Sequence, residues 1–341
     1  MIMLRICTSI ILFLVFSFSV DAQNNKPEDI IILYYNLDNL FDTSDDPGTA
    51  DDEYLPGGIK AWDKDRYEKK IKGIAENISE ASGGGQADII GFAGLENKKV
   101  IDDIISERRL RRTDYSVIMP ESEGAGTAFL VKKELMRIDE TELLEIDSTF
   151  LTRDKGTAYE ILYIKGELNG PGNCHFFVNR WPGLTGGGRS AEDARTGSAI
   201  AVRKKVDEIL NFERDAKIII MGTFYDEPTS RNILSVLNAT NKRKNLHYRD
   251  LYNLFYDDHN INNRGTTMVN NMWQMWDQVI VSAALLNDRH DYYADFGSGM
   301  IYTADEKGDK ISKPEGTYHD DKYIGGISSH LPVYCIIKKR E

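Results

Sequence analysis

Polar residues of chemically useful types collect where apolar, strand-like runs end. Asn36 and Asp38 follow the run 29–35, and Glu96 and Asn97 follow 88–95. Asn179, Arg180 and Trp181 close the run 175–179, and Thr223, Tyr225 and Asp226 come after 217–221. Asp277 precedes the run 278–282, and Ser328, Ser329 and His330 precede the last one, 332–337. Strand ends on a rigid scaffold are where loops assemble binding and catalytic sites. Any one of these groups is also ordinary turn chemistry, since Asn, Asp and Ser favour turns. Arg180 has two open readings. Its guanidinium could hold a phosphate or carboxylate through two parallel hydrogen bonds, or it could pair with an acidic neighbour on the surface.

The elements that must position these residues alternate between two periods. Apolar runs at 29–35, 88–95, 115–119, 127–131, 159–168, 175–179, 217–221, 278–282 and 332–337 predict buried strands. The stretch 66–82 reads as a helix, with Tyr67, Ile71, Ile74, Ala75 and Ile78 on one face. A second helix is predicted over 98–109, and a third over 190–212 with Ala199, Val202, Val206 and Ile209 on one stripe. Strands flanked by helices imply stacked layers of sheet and helix. The neighbouring runs 115–119 and 127–131 look like a hairpin, which argues for mixed or antiparallel sheets over an all-parallel one. No repeat or Pro-rich linker divides the chain after its leader, so a single domain over 23–341 is expected.

Six short motifs then coincide in order. Tyr35-Asn36-Leu37-Asp38-Asn39-Leu40-Phe41-Asp42 resembles the opening motif of the endonuclease/exonuclease/phosphatase family in its secreted bacterial branch, and Leu95-Glu96-Asn97 resembles that family's glutamate motif. Phe177-Val178-Asn179-Arg180-Trp181-Pro182 is similar to Asn-His-Trp-Pro, and Met221-Gly222-Thr223-Phe224-Tyr225-Asp226 to Gly-Asp-Phe-Asn-Asp. Trp276-Asp277-Gln278-Val279-Ile280 resembles the motif whose Asp supports the terminal histidine. The stretch from Gly325 to Val333, with Ser328-Ser329-His330, resembles the closing Ser-Asp-His motif. The resemblance implies an α+β fold, the four-layer α/β/β/α sandwich of two mixed, largely antiparallel sheets known as DNase I-like. It also implies hydrolysis of a phosphate ester with Mg²⁺ or Mn²⁺. Carried over by position, Glu96 and, more weakly, Asp38 would be metal ligands, since hard carboxylate oxygens suit Mg²⁺. Asn36 would orient the metal or the phosphate. His330, paired with Asp277, would contact the phosphate.

Four positions depart from the family pattern. Arg180 stands where the family has His, Thr223 where it has the Asp that activates water, Tyr225 where it has the phosphate-holding Asn, and Ser329 where it has Asp. A threonine hydroxyl is no base near neutral pH, and losing a general base costs about 10²–10⁴-fold in rate. In an extended segment Thr223 and Tyr225 would share a face and Asp226 would point away, so Asp226 is not expected to substitute. These departures imply a pseudoenzyme, or a severely impaired member of the family, that keeps the old cleft for a phosphorylated or anionic small molecule and binds its metal weakly. The alternative is an active metal-dependent phosphodiesterase, nuclease or phosphatase with a rearranged site, for which the retained Asn36, Asp38, Glu96, Asp277 and His330 speak. A third class, a protein-interaction module acting through its outer helices, would leave the cleft without a ligand and expose an apolar patch elsewhere.

Charge bounds the partners. The 341 residues carry a net charge of −12, which opposes non-specific nucleic-acid binding, because that depends on Lys and Arg neutralising phosphates. The basic clusters Arg108-Arg109 with Arg111-Arg112, and Lys242-Arg243-Lys244, have no interleaved aromatic residues and read as solvated faces. At the N-terminus Arg5 precedes an apolar run, 6–20, too short for a comfortable membrane span, and Val20-Asp21-Ala22 fits a cleavage site. Residues 1–22 are therefore expected to be a signal peptide, leaving a periplasmic or extracellular chain with no membrane span. Cys174 and Cys335 remain in it, both inside strand-like runs. Export permits a disulfide, but buried free thiols are the commoner outcome for such positions.

Overall fold

The computed structural model describes residues 29–340, apart from 47–48, 122–124, 152–158, 170–171, 184–188, 287–289 and 305–311. The expected leader, 1–22, lies outside the described residues. Two seven-stranded sheets carry the fold. The first contains β1 (Ile30–Leu40), β2 (Ile89–Leu95), β3 (Tyr115–Ile118) and β4 (Gly126–Lys132), and is completed late in the chain by β14 (Tyr292–Tyr293), β15 (Met300–Ile301) and β18 (Val333–Lys339). Its order is β14-β18-β1-β2-β4-β3, with β15 also on β18. The second contains β5 (Met136–Leu143), β6 (Glu160–Leu168), β7 (Gly172–Arg180), β8 (Lys217–Thr223), β9 (Ala239–Thr240), β10 (Leu251–Asn253) and β13 (Asp277–Ser282). Its order is β5-β6-β7-β8-β13-β10-β9. The hairpins β11/β12 (Thr267–Val269, Met272–Gln274) and β16/β17 (Tyr318–His319, Lys322–Tyr323) stand apart from both sheets. The pairs β1/β2, β7/β8 and β9/β10 are parallel and the rest antiparallel.

Period-two burial explains the layering. Along β1, Ile30, Ile32 and Tyr34 face the second sheet and join a core with Phe176, Val178, Ile219, Met221, Val279 and Cys335. Leu33, Tyr35 and Leu37 face the other way, onto α1 (Lys64–Ala81) and α2 (Lys98–Ser106). The outer face of the second sheet takes α3 (Arg189–Phe212) through Ala199, Val202, Val206 and Ile209. The result is the expected α/β/β/α sandwich. Each buried Ile or Val contributes roughly 1.5–3 kcal/mol of transfer free energy.

The helices begin where their caps dictate. The Asp63 side chain accepts from Arg66 N, and that of Asn97 from Val100 N, each satisfying a first-turn amide. The second helix stops at Ser106, short of the expected 109, because Glu107 is extended at ψ 148°. Strand β5 was not legible in the sequence. Only Met136 and Ile138 alternate onto the core and the strand beyond is mostly exposed, so no sustained apolar alternation marks it. Cys174 and Cys335 are both buried free thiols in the inter-sheet core. Among the described residues no helix is long and apolar enough to cross a membrane.

Candidate active site

The strand ends singled out by the sequence converge across both sheets. Thr223 closes β8, Asp277 opens β13 directly opposite it in register, and Arg180 ends β7 beside it. From the first sheet, Asn36 comes at the end of the regular pairing of β1 with β2, before a bulge that spans Asn36 to Leu40. Asp38 (φ 57°) and Asn39 (φ 53°) form that bulge in the left-handed region, which Asp and Asn tolerate. Gly94 accommodates it. At φ 74° a Cβ there would lie 3.0 Å from Asn36 Oδ1. Close approach of β7 and β8 likewise requires Gly222, whose Cβ would fall 2.4 Å from that of Asn179.

A continuous buried hydrogen-bond chain crosses the site. Thr223 Oγ1 lies 2.5 Å from Asp277 Oδ1, 2.9 Å from Asn36 Nδ2 and 2.9 Å from the Tyr34 hydroxyl. A carboxylate only accepts, so the Thr223 proton points to Asp277, and Asn36 and Tyr34 donate to Thr223. The Tyr34 hydroxyl accepts in turn from Thr223 N at 3.0 Å and also lies 3.2 Å from the Asn179 carbonyl. Asp277 Oδ2 receives Thr266 Oγ1 at 2.6 Å and faces His330 Nδ1 at 2.7 Å. Burial pulls the His330 imidazole toward neutrality. The charge and hydrogen bond of Asp277 outweigh this, so its pKa lies above the ordinary 6.5. Ser328 Oγ fixes the backbone of this loop, donating to the Asn36 carbonyl and accepting from His330 N.

The replaced positions are filled. Thr223 is fully buried, with every hydroxyl bond taken. The extended course assumed for 223–226 ends at Thr223. Tyr225 adopts φ 50°, a conformation that Asn takes readily and Tyr rarely. Its ring packs 5.1 Å from Trp276 and edge-on to His330 at 6.3 Å. Asp226 turns away despite that kink. Its Oδ1 lies 3.3 Å from Arg195 Nε, and its Oδ2 accepts from Asn232 Nδ2 at 2.7 Å. Arg180 donates to Asn39 Oδ1 at 2.7 Å and to the Ala125 carbonyl. Its charge acts on His330 and Tyr225, which places it at the cleft. Ser329 donates its backbone N–H to Asp38 Oδ2 at 3.3 Å.

Asp38 and Glu96 are engaged separately. Glu96 Oε2 accepts from Asp42 N at 2.8 Å, and the charges that bear most on it are those of Asp42, Asp51 and Asp46. Burial first, and then these charges, push its carboxyl up to about 7. Tyr34, Thr266 and Lys70 were missed in the sequence. Two of them carried a signal. Tyr34 has the parity of Ile30 and Ile32, and a core-facing tyrosine needs a partner for its hydroxyl. Lys70 lies three residues from Tyr67 and four from Ile74, on the buried face of α1. Nothing local marks Thr266.

This sandwich, with its constellation at one edge, is of the DNase I-like class. The chain belongs to the endonuclease/exonuclease/phosphatase family, whose model matches residues 31–339. Among solved structures it is similar to an endonuclease/exonuclease/phosphatase family protein from Bacteroides thetaiotaomicron, with 14% identity over 93% of this chain and 100% of that one and a TM-score of 0.56. A humanized TDP2 from D. rerio matches 91% of this chain and 99% of its own at 11% identity and TM-score 0.56. The human Nocturnin catalytic domain matches 92% and 95% at 14% identity and TM-score 0.54. No protein of curated function matches the sequence. Family membership supports a phosphoesterase- or nuclease-like function, and members are generally dependent on a divalent metal.

The residues present fit such an ion in part. Glu96 Oε1 is buried without a protein hydrogen-bond partner, as a ligand oxygen would be. Among the described residues, however, no group of three or more His, Cys, Asp or Glu side chains could hold a metal ion.

Proposed function

We propose that this chain is a hydrolytically impaired member of its family that retains the cleft for a phosphorylated or otherwise anionic small molecule. The observation that carries the reading is the saturation of Thr223. Its proton is committed to Asp277, Asn36 and Tyr34 occupy its lone pairs, and Asp226 is tied to Arg195 and Asn232. No carboxylate in these contacts is left to take a proton from an attacking water. An anion would be held by the remaining donors of Arg180 and by the protonated form of His330. A divalent ion would sit on Glu96, where it would supply charge stabilisation to a bound phosphate. Asp277 keeps the imidazole oriented through the 2.7 Å contact and favours its protonated form.

The test is turnover with Mg²⁺ or Mn²⁺ on single- and double-stranded DNA, RNA and simple phosphate esters. The expected rate is about 10²–10⁴-fold below that of a relative carrying the carboxylate. Robust turnover that disappears in both Glu96→Ala and His330→Ala would instead establish an active, rearranged metal-dependent hydrolase. We also infer export, from Arg5, the apolar run 6–20 and the small residue at Ala22. The intact mass of the chain recovered from the periplasmic or culture fraction should correspond to a start at Gln23. A full-length mass, or retention in the cytoplasm, would refute this.

A further inference from the structure

Asp38 also borders a polar cavity whose lining includes neither His330 nor Arg180. The cavity volume is 190 Å³, enough for a small molecule. Lys70 and Thr317 line it with the aromatic residues Tyr54, Trp62 and Tyr318, and Asp38, Asn39 and Asp320 also border it.

Two polar groups in this wall lack adequate partners. Lys70 is 3% exposed, yet its Nζ makes a single long contact, 3.4 Å to the Asp38 carbonyl. An ammonium carries three donors, and burying it largely unpaired costs several kcal/mol. Thr317 is 4% exposed, and its Oγ1 has no protein hydrogen-bond partner. The remaining wall is held in place. Trp62 Nε1 donates to the Phe41 carbonyl at 2.9 Å, and the Tyr318 hydroxyl donates to the Lys60 carbonyl at 3.0 Å. Lys60 itself is already satisfied by Asp321 Oδ1 at 2.7 Å and the Asp320 carbonyl at 2.9 Å. Lys70 is thus the less satisfied of the two lysines in this wall.

We propose that this cavity binds the oxyanion of a small hydroxylated molecule, with Lys70 Nζ and Thr317 Oγ1 donating to the anion and the Asp38 carboxylate accepting from a neighbouring hydroxyl. The Asp38 charge disfavours a bare multivalent anion and favours a ligand that offers it a donor. Tyr54 and Tyr318 supply apolar faces for the carbon skeleton. The site does not depend on whether the cleft hydrolyses anything.

Calorimetric titration with glycerate and with glycerol 3-phosphate tests it, the two arms distinguishing a carboxylate from a phosphate source. The wild-type chain should bind at least one of them. Lys70→Met should weaken that binding at least about tenfold, as expected for loss of a charge-assisted hydrogen bond, and Thr317→Val should weaken it severalfold. Lys70→Met replaces a buried charge by an apolar chain of similar length, so the fold is not put at risk. His330→Gln reports on the cleft without removing a contact of the cavity wall, and should leave this binding in place. Absence of binding by both probes, unchanged affinity in Lys70→Met, or loss in His330→Gln alone would overturn the proposal. The last outcome would assign the anion to the cleft instead.

Discussion

Thr223→Val should destabilise the protein by about 3–5 kcal/mol, although it changes one hydroxyl for a methyl of the same shape. The hydroxyl is the node of a network that joins the two sheets. It receives Asn36 and Tyr34 from β1 and gives its proton to Asp277 on β13. Valine leaves each of these groups short of a bond, and all four residues are at most 3% exposed, so no water replaces it. Each orphaned neutral group costs about 1–3 kcal/mol, and a charged one more. Tyr34 can recover part by turning fully to the Asn179 carbonyl at 3.2 Å. Asn36 can turn toward the Tyr225 hydroxyl, but Asp277 Oδ1 has no other partner among its contacts, which are Thr266 and His330 on Oδ2. Urea unfolding should show a lower midpoint at unchanged slope, since the surface exposed on unfolding is the same. A loss under about 1 kcal/mol would mean that the hydroxyl does not saturate its neighbours. The inference that position 223 is closed to proton abstraction would then fail with it.

Asp277→Asn should cost about as much, roughly 3–5 kcal/mol, by breaking a buried ion pair and leaving its partners in place. Asp277 is fully buried, His330 is 6% exposed, and their contact is 2.7 Å. Asparagine keeps the volume but removes the charge, and its amide nitrogen must face either the Thr223 hydroxyl or the Thr266 and His330 side. The effect depends on pH in a determined direction. The folded-state pKa of His330 is raised, so its pairing stabilises fully below the unfolded value near 6.5, and this contribution fades as pH rises through the higher folded value. The gap between wild type and variant should therefore be widest in mildly acidic buffer and narrow toward alkaline pH. NMR titration of the His330 ring gives a second readout. With the Asp277 charge gone, burial dominates and the imidazole pKa should drop below its ordinary range. A His330 that titrates unchanged in Asp277→Asn would show that the pair does not hold the proton.

A left-handed turn at position 225 suits asparagine, and the backbone keeps φ 50° with a tyrosine in place. The scaffold around it holds. Trp181 packs edge-on to Phe224 at 4.8 Å, and both are fully buried. Trp181 and Phe224 thus hold the core directly beneath the site that Thr223 and Tyr225 border.

Much of this architecture was readable from period and motif order alone. Alternation along 29–35 placed Ile30 and Ile32 opposite Leu33 and Tyr35, and the stripes on the three long helices named their buried faces. The ordered motifs set Asn36, Glu96, Thr223, Asp277 and His330 at strand ends. What could not be read was the partner each polar group would find. Tyr34 and Thr223 are 189 residues apart and meet because two sheets pack face to face in one register. Thr266 reaches Asp277 from outside β13, and Glu96 looks toward Asp42, Asp46 and Asp51. Local pattern assigns a side chain to a face. Which atoms wait on the opposite face is settled only when the layers close, because hydrogen bonds need placement to within tenths of an ångström and a sequence period carries no such resolution.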